Sequence, residues 1–582
     1  MPRKASRRRP SSHAAHPSHA DIPTRHWTVL AQDPDVLGKN GKALTTTVEI
    51  PAERLERGPK GHRVHVIDYD AAADRFYRSR TTSPEKDRYT KVTDIDRLVR
   101  DPYFHQQNVY ALVMSTLFSF ERALGRPIDW GFLDPSHQLK VAPHAFLDSN
   151  AYYSRESESL NFGYFPDDDG NRVYVCLSHD IVVHETTHAL LDGLRSMYLN
   201  PSSPDQAGFH EGFSDIVALL SVFSHHEVIE YALSPLTDRS GRIPGRNLTL
   251  EKLGGTALAM LAEEMGSALE GVRGTALRHS VEIRPDRRHY TSATYAEEHD
   301  RGELLVAVVI RAFLQIWIKR LTPLLQNAHS TLARTVAAEE GGTAASQLLN
   351  IVIRALDYMP PVDMTYPDYL SALLTADQQL YPDDTKYHYR EALLTEFEKF
   401  GITPASRKNS DGVWDPPPTD TFTIAGMHFE RLQRDPSTVF RFVWENRDAL
   451  GIYPDAFTRV TSVRPVLRVS RDGSVLQETV AEYVQTLRVY SPELKSLGIR
   501  KPDGMRHSRL ITLYGGGTLI FDEYGQLKFH IGTGVTSRRQ SARLQSLWDN
   551  DYFDDTASTA ARIARMHRHR TLKPLREPRE EW

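Results

Sequence analysis

The stretch HETTHALLDG, His184 to Gly193, sets two histidines four residues apart with a glutamate beside the first. On a helix, residues four apart share a face. His184 and His188 therefore project the same way and can hold one metal ion through their imidazole nitrogens. From its neighbouring position Glu185 reaches a water on that ion rather than the ion itself. Nitrogen and oxygen ligands with one open position point to zinc. Zinc acidifies such a water, and the glutamate takes its proton as the nucleophile forms. The apolar flanks Ile181–Val183 and Ala189–Leu191 predict a buried helix, where two histidines are costly without a partner.

A third ligand is needed, and the next helical segment offers one. FHEGFSDIVALL places Glu211 and Asp215 four apart, again on one face. Glu211 completes a His-His-Glu set. Asp215 can accept the other ring N–H of a ligating histidine, as outer carboxylates at such sites do. Taken alone, the same acids also suit a helix N-terminus, where they complement its dipole. Beside HETTH the ligand reading is stronger.

These residues carry a resemblance. HETTHALLDGL followed by HEGFSDI resembles the thermolysin-type gluzincins, whose pattern is HExTHA…D followed by NE..SD. The resemblance covers about residues 145–320 and implies a zinc metallopeptidase with a two-lobed α+β core. It implies a β-rich lobe carrying the zinc-site helices over 25–224 and a helical lobe over 225–405. LDSNAYYS is similar to the family's edge strand, so Asn150 and Ala151 would grip substrate backbone, with Tyr152 and Tyr153 alongside. The family's oxyanion donors fall on Tyr198 and on His299, just before a long apolar helix. Its carbonyl-binding arginine falls on Arg278, with Arg273 and Arg288 as rivals. Asp180 matches the entry to the active-site helix. The chain departs from the pattern in three places. His210 stands where the family has Asn before the third ligand, and the spacing to that ligand is longer. Val222 replaces a calcium-binding Glu. Calcium wants six or more oxygens, so calcium dependence is doubtful.

Outward from the motif the signals sort by region. NVYALVMSTLFSFERAL (108–124), EGFSDIVALLSVFS (211–224) and GELLVAVVIRAFLQIWIKRL (302–321) carry helical spacing. Further helices are expected near 345–357 and 388–400. HRVHVIDYD and NRVYVCL look like strands. RKNSDGVWDPPPTD (407–420) contains three consecutive prolines and suggests a linker, bounded at 406–420. A smaller mixed domain is expected over 421–560. There RPVLRVS and GGTLIFDEYGQLKFHI suggest strands and SVLQETVAEYVQTLRVY a helix. A hairpin turn is expected at Tyr524-Gly525. LYGGGTL lacks the Lys-Ser/Thr of a phosphate loop, so Gly515–Gly517 suggest a turn or bulge between strands.

The 582 residues exceed what one core normally covers. The composition, 40% hydrophobic and 25% charged, is that of a globular chain. A net charge of −4 gives no electrostatic case for nucleic acid or membrane. The termini are exceptions. Residues 1–24 carry five Lys/Arg and no acid before Asp21, and 561–582 are also basic, so both are expected to be solvated tails. The single cysteine, Cys176, forms no disulfide within the chain, and a zinc site cannot be built out of thiolates. No secretory signal or membrane-length apolar run is visible, which favours the cytoplasm without excluding leaderless export.

Three functions compete on these grounds. The leading one is a zinc-dependent endopeptidase acting on a peptide or protein substrate. The alternative is a gluzincin-like zinc protein that binds a peptide or protein partner without turnover. The third is a scaffold whose basic tails meet nucleic acid or acidic partners.

Overall fold

A computed structural model describes residues 23–553, apart from 35–36, 38–40, 79–84, 133–136, 168, 201, 256–279, 281, 326–329, 407–410, 419–420, 424–428, 470–474 and 551. The architecture is mixed α+β. Strands β1 (Thr24–Leu30) and β2 (Thr45–Pro51) pair antiparallel. A five-stranded sheet follows, from β3 (Val64–Val66), β4 (Leu139–Leu147), β5 (Ala151–Ser154), β6 (Ser159–Pro166) and β7 (Arg172–Tyr174). Its order is β3-β4-β6-β5, with β7 also on β6. The strands β3, β4 and β6 run parallel, while β5 and β7 run antiparallel to β6. This leaves β5 at the sheet edge.

The first long helix, α1 (Pro102–Leu124), starts six residues before the apolar periodicity does. Asp101 caps it by accepting the Tyr103 amide, and Pro102 takes the first position, where a missing N–H costs nothing. Helix α2 (His179–Leu194) carries HETTH and is buried on nearly every face. Helix α3 (Pro204–Phe223) begins at a Ser203 cap, which accepts the Gln206 amide. It thus takes in a full turn and more ahead of Glu211. Helix α4 (Glu298–Leu321) is the long apolar one, capped by Glu297. Helices α5 (Arg334–Arg354), α6 (Tyr366–Leu380) and α7 (Tyr389–Lys399) complete this part.

Helices α3 and α4 cross closely because glycines face each other. A Cβ on Gly212 would sit 2.7 Å from the Gly302 carbonyl oxygen, and one on Gly208 2.8 Å from the Arg301 Cβ. A Cβ on Gly302 would lie 3.5 Å from the Cβ of Glu211. The crossing therefore brings the start of α4 against the segment of α3 that carries the third candidate ligand.

The C-terminal part departs from expectation in three ways. Residues 475–490 form a 16-residue strand, not a helix. With β8 (Phe457–Val469) and β9 (Val475–Tyr490), strands β10 (Leu510–Phe521) and β11 (Leu527–Thr533) make an antiparallel meander. The apolar spacing of β9 also fits a helix. Its β-branched residues and two pairing partners, β8 and β10, decide the matter. Second, Gly515–Gly517 lie inside β10, opposite Gln485, Val484 and Tyr483. A Cβ on Gly517 would meet the Tyr483 hydroxyl at 2.7 Å and His530 Nε2 at 2.8 Å, so these rings occupy the space a side chain needs. The hairpin itself turns at Asp522–Gln526, with Gly525 at φ 79.

Third, the proline-rich stretch is not free of its neighbours. Trp414 donates from its backbone to Thr375 Oγ1 and from Nε1 to the Tyr358 carbonyl, each at 2.9 Å. One continuous core runs from Trp27 to Val413 and takes in Val466, Val480, Ile520, Phe529 and Ile531 from the C-terminal sheet. Two smaller cores lie elsewhere in that part, beside α8 (Pro436–Glu445) and α9 (Arg539–Asp549). Arg539 pairs with Asp368 at 2.6 Å and Arg543 with Asp363 at 3.1 Å, joining α9 to the helical part. Among the described residues no helix is long and apolar enough to cross a membrane.

Candidate metal centre

Helix α2 presents His184 and His188 on one face, and α3 crosses it with Glu211. His184 Nε2 lies 3.6 Å from Glu211 Oε2, and His188 Nε2 lies 3.4 Å from Glu211 Oε1. Both separations exceed a good hydrogen bond. Both suit donors that share one tetrahedral ion: two ligands at about 2.05 Å stand roughly 3.3 Å apart. All three side chains are fully buried. The donor set, two imidazoles and a carboxylate, fits zinc, whereas calcium and magnesium prefer oxygen alone.

The outer contacts hold each ligand in place. Asp215 Oδ1 lies 2.7 Å from His184 Nδ1. His188 Nδ1 lies 2.7 Å from His210 Nδ1 and 3.2 Å from Ser214 Oγ. If His188 offers Nε2 to an ion, its Nδ1 carries the proton and must donate. Burial pulls His210 down to about 4, so that ring is neutral and its Nδ1 can accept. His210 is therefore an outer partner, a role the sequence reading did not assign. The signal was its position immediately before Glu211.

Glu185 is also fully buried, and its Oε2 accepts the backbone N–H of Tyr153 at 3.0 Å. That amide belongs to edge strand β5. The same residue's hydroxyl donates to Asp192 Oδ2 at 2.8 Å, and Arg155 Nε reaches the same oxygen at 2.8 Å. Desolvation and the Asp192 charge raise the Tyr153 phenol, so it stays a donor. The terminal acid of HETTHALLD thus fastens β5 to α2. Asn150 and Ala151 lead into this edge. The Ala151 amide donates to Asn150 Oδ1 at 2.9 Å, and the Asn150 carbonyl accepts from Gly163 at 2.8 Å.

His299 lies in the first turn of α4, three residues before Gly302. Its Nδ1 is 2.6 Å from Glu297 Oε1, an orienting carboxylate that the run of acids around His299 concealed. Glu298, next to it, contacts the Tyr552 hydroxyl and so ties the C-terminal part to this turn.

Tyr198 does not join the group. It sits in a short 3-10 turn, and its hydroxyl donates to the Pro360 carbonyl at 2.6 Å. Its one O–H proton is spent there, so it is not set as the oxyanion donor that the resemblance implies. Arg288 pairs with Asp286 at 2.6 Å on the surface, with its own side chain 88% exposed. Arg278 and Arg273 lie outside the described residues. Asp180 belongs to neither cluster of potential metal ligands among the described residues. Its carboxylate accepts from the Ser178 hydroxyl.

No protein-family model matches the chain, and a search of curated proteins finds no match.

Proposed function

We propose that the chain is a zinc-dependent metalloendopeptidase of thermolysin-like organisation. The observation that carries this reading is the convergence of His184, His188 and Glu211 beside a Glu185 held by an edge-strand amide. Zn2+ held by the three side chains would supply a Lewis acid for a carbonyl and lower the pKa of water. Glu185 takes the proton of the attacking water and passes it to the leaving amine. The Tyr153 amide fixes the carboxylate's orientation. His299, with Nδ1 engaged by Glu297, serves the developing oxyanion through Nε2. Strand β5 receives substrate as an added strand, with Asn150 and Ala151 at the point of contact. The substrate class is a peptide or protein.

One observation favours a second reading. Glu185, His184, His188 and Glu211 all show 0% exposure, and His299 shows 5%. A peptidase must open this enclosure to admit a chain. A protein that holds zinc and binds a partner without turnover need not.

Wild type and Glu185→Gln, purified together, separate the two. Metal analysis should find zinc in both, because Glu185 is not a ligand. Cleavage of a peptide library by the wild type alone supports the peptidase. Zinc in both with cleavage by neither supports the silent zinc protein. No zinc in either refutes both.

A further inference from the structure

A second buried cluster lies away from HETTH. His105 on α1, His144 on β4 and Cys176 in the 3-10 turn just before α2 place one donor atom each within 4.8 Å of one another. Their exposures are 1%, 2% and 0%. We propose that this group is a second metal site, taking one thiophilic ion, Zn2+ or Cu+, through His105 Nδ1, His144 Nε2 and Cys176 Sγ. The inference does not rest on the peptidase reading.

Proton bookkeeping carries the argument. His105 Nε2 lies 2.9 Å from the Val99 carbonyl, which only accepts, so that nitrogen carries the proton. With its proton on Nε2 for that carbonyl, a ring carrying one proton turns the Nδ1 lone pair toward His144. His144 Nδ1 lies 2.7 Å from Asp68 Oδ1, and Gln106 donates to the other Asp68 oxygen at 2.7 Å. His144, with one proton on Nδ1 for the carboxylate, likewise turns an Nε2 lone pair toward His105. The two lone pairs then face each other across 2.8 Å. Something positive must lie between them: a shared proton or a metal ion.

The surroundings favour the ion. A shared proton needs no third donor, yet the thiol of Cys176 lies within 4.8 Å of a nitrogen on each ring. Each histidine gives its remaining nitrogen to a carboxylate or a carbonyl, the outer arrangement that orients metal-bound imidazoles. Tyr174 packs against both rings, at 4.6 Å and 5.2 Å between centroids. Few ligands in an enclosed site with one sulfur suit ions that accept low coordination and soft donors. The rings need part by only about 0.5 Å to reach the donor spacing of a shared ion. When the ion enters, the proton shared by the rings and the thiol proton both leave to solvent. The count of one cysteine excludes a site made of thiolates, but not a mixed one. The ion would tie α1, β4 and the turn leading into α2, the helix that carries HETTH.

Because Cys176 is the only cysteine in the chain, any thiolate–metal spectrum reports this cluster alone. The full chain is purified, its bound metals are identified and counted, and the protein is reconstituted with Co2+. The wild type should hold about two ions, one for each three-donor group. It should show a near-ultraviolet thiolate-to-cobalt band. Cys176→Ala should hold about one ion and lose that band, with the cobalt absorption of the His184–His188–Glu211 site unchanged. Metal identity separates zinc from copper. A wild type without the thiolate band, at saturating cobalt, overturns the proposal and leaves a proton shared by the two rings. The wild-type spectrum decides this even if Cys176→Ala does not fold.

Discussion

Replacing Asp215 by asparagine tests whether the outer contacts of the HETTH site set its metal affinity. Asp215 Oδ1 lies 2.7 Å from His184 Nδ1, and the side chains are 5% and 0% exposed. Solvent therefore screens this contact little. Asparagine keeps the shape and an accepting oxygen but removes the charge. Hydrogen bonds to a charged group contribute about 1.5–3 kcal/mol and neutral ones about 0.5–1.5 kcal/mol. The difference, roughly 1–1.5 kcal/mol, is about a five- to twelvefold loss of affinity. Removing the acceptor altogether, as in Asp215→Ala, should cost up to about a hundredfold. The assay is zinc competition against a chromophoric chelator at fixed pH, with melting of the metal-free proteins as a control for folding. An Asn variant within twofold of the wild type would refute the argument, because a buried charge at this distance cannot be neutral in effect. So would equal losses in the Asn and Ala variants.

Two further outcomes follow from packing and from charge. Gly212→Ala forces a Cβ to within 2.7 Å of the Gly302 carbonyl, so α3 and α4 must part. Denaturant titration should show a loss of about 1–3 kcal/mol, and an unchanged midpoint would contradict the crossing. Burial and the nearby Asp384 push Asp377 up to about 7, against the Arg390 guanidinium that lowers it. Between about pH 4 and pH 7 the folded chain keeps a proton that the unfolded chain releases, so this group makes stability fall as pH rises through that window. Asp377→Asn cannot titrate, and its melting temperature should decline less over the same window. An equal decline in both proteins would count against the raised value.

HETTH and HEGFSD stand out in the sequence because a candidate metal site needs particular residue types at helical spacing. His184, His188, Glu211 and Asp215 were legible for that reason, and their convergence needed only the two helices to cross. The long helix at 302–321 was legible because its apolar run covers nearly every face, leaving only the narrow stripe of Arg311, Gln315 and Lys319. Strand β9 was not, since its apolar spacing fits a helix and its β-branched residues argue for a strand only once β8 and β10 pair with it. The glycines of β10 were misleading in the same way, because what requires them is the backbone of Val535 and Tyr483 at Gly515 and Gly516 and the rings of Tyr483 and His530 at Gly517. Tyr198 occupied a suitable place in the chain, but the carbonyl that takes its proton comes from Pro360, more than a hundred and fifty residues away.

The sequence by itself determined which local segments could bind metal, because ligand chemistry and helical periodicity act over a few residues. Only the tertiary structure decided what surrounds them. The acceptor role of His210, the grip of Tyr153 on Glu185, the Glu297 partner of His299 and the cluster of His105, His144 and Cys176 all join groups whose spacing in the chain carries no signal. Such contacts are set by how buried surfaces close on one another. A buried polar atom then takes whichever partner that packing brings within reach.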